Sequence, residues 1–176
     1  MTLQPIGTAV KRVVAAFQRR PDMGVHEDLP ALARWISGTR VVVSHSAGIE
    51  MLTDMPVELG GTGDQVTPGW LFRAGVASCS VTSITLAAAG EGIELSSLEV
   101  RVGSRSDARG LLGMSDSDGK PVYAGPFDVE LEVTLAANGV PAVVLESLVT
   151  RCLKHSPVPN ALTSATPIAL LVKVAS

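Results

Sequence analysis

The two cysteines, Cys79 and Cys152, are the strongest candidates for nucleophilic or redox chemistry in this chain. A cysteine reacts as its thiolate, so a functional one needs a nearby cation or hydrogen-bond donor that lowers the pKa of the thiol. Cys79 lies seven residues after Phe72 and on the same apolar helix face, so we expect it to be largely buried. Such a residue is either a small core side chain or a nucleophile, and position alone favours the core side chain.

The second cysteine belongs to the segment Cys152-Leu-Lys-His-Ser156-Pro157. Residues four apart share a helix face, so Cys152 and Ser156 point the same way if one helix contains both. None of the three histidines has further ligands at a suitable spacing, and we predict no metal site. No cofactor motif or serine-nucleophile motif is present, so we expect no cofactor.

The first half of the chain predicts a helix, a hairpin and a second, longer helix. Apolar residues recur at helical spacing from Ile6 to Arg20, and Pro21 ends the pattern. Two β-rich segments, Arg40 to Ser46 and Ile49 to Asp54, flank Ala47-Gly48 and indicate a hairpin. A central helix is expected from Pro68, with Thr67 as its N-cap, to about Ala89, with Gly90 as its C-cap.

The second half predicts an α+β fold, in which an antiparallel sheet packs on two helices and the long central helix is buried. Residues 97–107 and 126–135 alternate apolar and polar side chains as strands do. Residues 141–155 return to helical spacing, and Pro157 stops that helix. A last strand is expected over residues 168–174.

Composition predicts one domain over residues 1–176, with the N-terminal helix packed on its body. Aromatic residues make up 3% of the chain and the net charge is −3, which argues against a nucleic-acid partner. We expect no membrane span, because no uncharged apolar run approaches the required length of roughly 20 residues. Two cysteines make no disulfide framework, so we predict a reducing, cytoplasmic location.

Several segments together resemble the OsmC/Ohr family in order and spacing, over about residues 40 to 174. They are Pro56-Val-Glu-Leu-Gly-Gly61, Thr67-Pro-Gly-Trp-Leu-Phe72, Ala77-Ser-Cys79, Gly92-Ile-Glu-Leu-Ser-Ser-Leu-Glu-Val100 and His155-Ser-Pro-Val158. The resemblance implies an intertwined homodimer with active sites at the subunit interface. It also implies thiol-dependent reduction of organic hydroperoxides, with a peroxidatic cysteine, a resolving cysteine, and an arginine steadied by a glutamate.

Carried over by this resemblance, Cys79 matches the peroxidatic position and Ser156 the resolving one, so this chain belongs to a divergent subgroup. Gly69 stands where the family has its glutamate. Arg40 is the first choice for the arginine and Arg34 the second. Serine forms no disulfide, so the two-cysteine cycle is blocked unless Cys152 acts as the resolving cysteine instead of residue 156.

Two hypotheses follow. The first is a peroxidase of oxidative stress defence, in which Cys79 attacks an organic hydroperoxide, Arg40 stabilises the thiolate, and an external thiol restores the enzyme. The second is a redox-inactive dimer that binds an apolar small molecule in its interface pocket, with Cys79 as filler.

Overall fold

The computed structural model describes residues 2–164 and 166–174. The helices are α1 (Gln4–Arg19), α2 (Pro68–Glu91), α3 (Ala108–Leu111), α4 (Ala142–Leu153) and α5 (Pro157–Thr163). The strands are β1 (Leu32–Ser37), β2 (Arg40–Ser44), β3 (Glu50–Thr53), β4 (Leu95–Arg105) and β5 (Phe127–Ala137). This order of helices and antiparallel strands confirms the predicted α+β fold.

The strands form two antiparallel sheets, one of three strands in the order β1-β2-β3 and one of the two long strands β4 and β5. The predicted hairpin is confirmed, because Val42 of β2 pairs with Leu52 of β3. In the other sheet Val100 pairs with Val133, and side chains alternate between half-buried and exposed along both strands. Strand β1 was not predicted; all six of its residues are exposed, so it shows no alternation of buried and exposed positions.

The central helix α2 begins as its sequence predicts. The Thr67 side chain accepts a hydrogen bond from the backbone N–H of Trp70 at 3.1 Å, and Pro68 fills the first helical position. Its end differs by two residues from the prediction. The helix continues through Gly90, and Gly92, in the left-handed conformation with φ of 73°, caps it instead.

One face of α2 forms the core of the chain. Its buried residues are Val76, Ser80, Ile84, Ala88 and Ala89. Helix α2 contacts β4, α1, α4 and α5, which agrees with the predicted α+β arrangement of a sheet and helices around a central helix. Small residues allow the closest of these contacts: a Cβ at Gly7 of α1 would lie 2.3 Å from the Ala89 carbonyl oxygen.

Other apolar surfaces remain uncovered in the single chain. Trp70 and Leu86 of α2 are 46% and 44% exposed, and Trp35 of β1 is 73% exposed. Residues 166–174 are exposed, have no regular secondary structure and pair with no strand in the described part of the chain, so the last strand predicted over residues 168–174 is wrong for this structure. We expected no membrane span, yet α2 is long and apolar enough for one by length and composition alone, a test that core helices also pass.

Candidate functional site

The Cys79 sulfur lies at the junction of α2 with the start of α5. Its Sγ is 3.3 Å from the Ser156 hydroxyl oxygen, and it accepts a hydrogen bond from the backbone N–H of Val158 at 3.4 Å. The Cys79 side chain is half-buried, which is more open than we expected from the sequence. Two hydrogen-bonding groups of the same chain therefore meet at this sulfur.

A second serine sets the direction of this hydrogen-bond chain. The Ser83 hydroxyl donates to the Ser156 Oγ at 2.9 Å, while Ser156 is fully buried. A serine hydroxyl has one proton to donate and two lone pairs to accept with. Because Ser156 accepts from Ser83, its own proton is free to point at Cys79. The arrangement is thus suited to a sulfur that accepts two hydrogen bonds, as a thiolate does.

The break between α4 and α5 explains why Ser156 reaches Cys79. Helix α4 ends at Leu153, and Ser156 is the N-cap residue of α5, with Pro157 at the first position of that helix. Pro157 therefore opens a helix, whereas the sequence led us to expect that it would stop one at about residue 155. Ser156 and Cys152 do not lie on one continuous helix.

Cys152 lies apart from the hydrogen-bond chain at Cys79. Its thiol donates to the Val149 carbonyl oxygen of its own helix at 3.4 Å, and no hydrogen bond joins Cys152 to Cys79 in the described residues. Burial raises the pKa of the Cys152 thiol. A raised pKa keeps the thiol protonated and makes it a poor nucleophile at neutral pH.

Arg40, the predicted cation, is held by two carboxylates. Its guanidinium forms an ion pair of 3.1 Å with the buried Asp54 and a second, very short one with Asp64. The Thr62 hydroxyl accepts from Arg40 and donates to Asp54 at 2.8 Å. No hydrogen bond from Arg40 reaches Cys79 in the described part of the chain, and the second choice, Arg34, lies exposed on β1.

Asp54 anchors this network. It is 2% exposed and accepts hydrogen bonds from the Thr39 and Thr62 hydroxyls and from two backbone N–H groups. The Thr39 hydroxyl, and after it the Thr62 hydroxyl, hold the pKa of the Asp54 carboxyl well below its usual range. The network fixes the loop after β3 to the start of β2.

The sequence analysis did not identify three of these groups: Ser83, the Val158 amide and Asp54. Ser83 lies one helical turn after Cys79, so the spacing of four residues was a usable signal. The Val158 amide and Asp54 carry no such signal, because each acquires its role through contacts between distant segments.

Comparison with known proteins identifies the family of the chain. Residues 61–170 match the family model described as OsmC-like protein. No curated protein matches the chain.

Solved structures share the fold at low sequence identity. An OsmC-like protein from Mycoplasma pneumoniae is 15% identical with a TM-score of 0.66, covering 80% of this chain and 91% of its own. A protein from Legionella pneumophila, described as an organic hydroperoxide resistance protein OsmC, is 24% identical with a TM-score of 0.53, covering 78% and 91%. A putative organic hydroperoxide resistance protein from Vibrio cholerae is 24% identical with a TM-score of 0.52, covering 80% and 89%. The family model covers most of the chain and the shared fold agrees with it, so the protein belongs to the OsmC-like family.

Proposed function

We propose that this protein is a thiol-dependent reductase of organic hydroperoxides, with Cys79 as the peroxidatic cysteine. The observation that carries the proposal is the pair of hydrogen-bonding groups at the Cys79 sulfur, the Ser156 hydroxyl and the Val158 N–H. Hydrogen bonds to the charged form of a group favour that form, so these contacts support a thiolate. The hydroperoxide resistance described for the Legionella and Vibrio proteins agrees with this role.

The reaction begins when the Cys79 thiolate attacks the distal oxygen of the hydroperoxide. A sulfur–oxygen bond forms, the oxygen–oxygen bond breaks, and the departing alkoxide takes a proton from solvent to become an alcohol. Cys79 is left as a sulfenic acid. Two molecules of an external thiol then reduce it: the first forms a mixed disulfide and releases water, and the second frees Cys79 and leaves as the disulfide.

The external thiol is required because the chain lacks a second sulfur at this place. Ser156 occupies the position beside Cys79, and a hydroxyl forms no disulfide. Cys152 is half-buried, has a raised thiol pKa, and bonds to its own helix. The protein therefore works as a one-cysteine enzyme in this proposal.

The proposed working unit is a cytoplasmic homodimer of single-domain chains. The exposed apolar residues of α2, β1 and the segment 166–174 give a second copy a large surface to cover. Arg40 remains the candidate cation for Cys79 and would act across that interface, since its bonds within the chain go to Asp54, Asp64 and Thr62.

A stopped-flow assay tests the activity directly. The reduced protein is mixed with cumene hydroperoxide, and the loss of peroxide is followed for wild type, Cys79→Ser and Cys152→Ser. We expect Cys79→Ser to lose all consumption and Cys152→Ser to retain at least about half. Consumption that survives in Cys79→Ser rules out this mechanism.

The rate of Cys79 alkylation by iodoacetamide at neutral pH tests the two hydrogen-bonding groups at the sulfur. Loss of a hydrogen bond to a charged group costs roughly 1.5–3 kcal/mol, which corresponds to a factor of about 10 to 100 in an equilibrium constant. We therefore expect Ser156→Ala to slow the alkylation of Cys79 by up to about that factor, and Ser83→Ala to slow it by less, because Ser83 acts through Ser156. A wild-type Cys79 that alkylates no faster than a free thiol at neutral pH contradicts the proposal.

A further inference from the structure

A cavity of about 570 Å³ lies at the start of α2, bounded by the loop before α3 and by the segment that leads into β5. Its walls are mostly apolar and include Met55, Pro56, Phe72, Leu111 and Pro126. Cys79 is not among the lining residues, and it lies two helical turns beyond Phe72. The cavity is therefore separate from the hydrogen-bond chain at the sulfur.

One arginine brings a positive charge to this apolar space. Arg73 lines the cavity, and its Nη1 donates to the Ser104 hydroxyl of β4 at 3.3 Å. It passes beside Gly69, since a Cβ there would lie 3.8 Å from that nitrogen. No carboxylate within residues 2–164 and 166–174 forms an ion pair with Arg73.

The carboxylate of Asp107 also lines the cavity, but it has its own cation. Arg109 binds both Asp107 carboxylate oxygens, through its Nε at 3.0 and 3.1 Å and its NH2 at 2.6 Å. The hydrogen bond from the Arg109 side chain is the main cause that lowers the pKa of the Asp107 carboxyl. The charges of Asp107 and Arg109 balance one another, and among the described residues Arg73 has no counter-ion.

The position of Arg73 adds to the positive potential. The first amides of a helix have no acceptor within it, and the helix dipole places a partial positive charge at that end. The Trp70 N–H donates to the Thr67 side chain. Gly69, one residue before Trp70, lies at the cavity wall. A cation beside the amino end of a long helix is unfavourable unless an anion joins them.

We propose that this cavity binds a small amphipathic anion, a carboxylate carried on an aliphatic or aromatic body. The carboxylate contacts the Arg73 guanidinium and the Gly69 amide, and the body lies on Phe72 and Leu111. A ligand of this kind supplies the missing negative charge and fills the apolar walls, which are the two properties that the cavity combines. The proposal stands whether or not Cys79 reduces peroxides.

Isothermal titration calorimetry with decanoate tests the proposal, with decanol as a neutral probe of the same chain length and butyrate as an anion with little apolar surface. We expect decanoate to bind saturably and both other probes to bind at least about 10-fold more weakly, since each loses one of the two recognition elements. In Arg73→Gln we expect decanoate affinity to fall by about 10- to 100-fold. Arg101→Gln, which removes an equal charge from an exposed site on β4, is the matched control and should change little.

A pair of substitutions at one residue separates charge from size. Gly69→Glu places a carboxylate beside the Arg73 guanidinium, and Gly69→Gln places a neutral group of the same size there. We expect the glutamate variant to bind decanoate at least about 10-fold more weakly than the glutamine variant, because the guanidinium is already neutralised. Equal binding by this pair, equal affinity for decanoate and decanol, or no saturable binding of decanoate to wild type overturns the proposal. Thermal melts of each variant show that the fold is kept.

Discussion

At the scale of single residues, Cys79 and Cys152 differ in the hydrogen-bonding groups that surround their sulfur atoms. Cys79 is approached by the Ser156 hydroxyl and the Val158 N–H, whereas Cys152 donates its own proton to the Val149 carbonyl. A sulfur that receives hydrogen bonds is stabilised as a thiolate, and one that donates is stabilised as a thiol. The two sulfurs thus differ in their hydrogen bonds: that of Cys79 accepts from the Val158 N–H, and that of Cys152 donates to a backbone carbonyl.

A cysteine at position 156 should change how the sulfenic acid is reduced. The Ser156 oxygen is 3.3 Å from the Cys79 sulfur, so a small side-chain rotation brings an introduced sulfur to bonding distance, about 2 Å. We expect Ser156→Cys to form an intramolecular disulfide with Cys79 after one equivalent of hydroperoxide, with the loss of two hydrogens in the intact mass. The exposed substitution Ser97→Cys is the control. If both variants give the same mass after oxidation, the proximity seen here is wrong.

The buried carboxyl of Asp54 predicts a pH dependence of stability. Its pKa in the folded chain lies below the ordinary value, first because of the Thr39 hydroxyl and then because of Thr62. The stability that it contributes is complete above the unfolded pKa of roughly 4 and is lost as the pH falls through the folded pKa. We expect the free energy of unfolding in urea to fall below about pH 4 and to fall less steeply in Asp54→Asn.

Asp64 and Asp107, whose pKa values are also lowered, should keep part of that slope in the Asp54→Asn variant. Asp118→Asn, in an exposed loop, is the control and should follow the wild-type curve. A slope that Asp54→Asn leaves unchanged contradicts the role given to this network.

At the scale of elements, α1 depends on a close approach to the end of α2. A Cβ at Gly7 would meet the Ala89 carbonyl oxygen at 2.3 Å, so the two helices must separate if residue 7 is larger. We expect Gly7→Ala to cost roughly 1–3 kcal/mol, the usual effect of overpacking, despite the better helix propensity of alanine. Urea unfolding measures the loss in free energy of unfolding, and faster tryptic cleavage after Arg19 shows that α1 detaches from α2. Gly24→Ala, where no atom lies within 4 Å, should leave both unchanged.

At the scale of the whole molecule, apolar surface is distributed as in a subunit of a larger assembly. Ile168 is 93% exposed, Val174 90% and Trp35 73%, while the buried core is confined largely to one face of α2. Exposed apolar patches of this extent mark interaction surfaces. Mutual burial by two copies offers the simplest way to cover them.

We therefore expect a dimer at micromolar concentration in sedimentation velocity. Leu86→Asp places a charge on the exposed face of α2 and should weaken the dimer at least about 10-fold, because burial of an unpaired charge is costly. Val25→Asp, at a position 85% exposed in the loop before β1, is the control. A monomeric wild type at these concentrations rules out the proposed working unit.

The sequence by itself determined the elements whose signals are local. Helical spacing and capping residues predicted α1 and the start of α2, and alternation predicted β4 and β5, because these patterns depend on neighbours a few residues apart. The position of Cys79 on α2 was also readable at this level. The end of α2 was misplaced by two residues because both Gly90 and Gly92 are suitable caps, and only the latter adopts the left-handed conformation.

The tertiary structure decided the contacts between distant segments. It brought Ser156 and Val158 to Cys79 across more than seventy residues of chain, joined Arg40 to Asp54 and Asp64, and left residues 166–174 unpaired where a strand was expected. Neither hydrophobic period nor spacing carries information about which hydroxyl, amide or carboxylate of a distant segment meets a given side chain. That choice is made when the elements pack, since only then do residues far apart in sequence come within hydrogen-bonding distance.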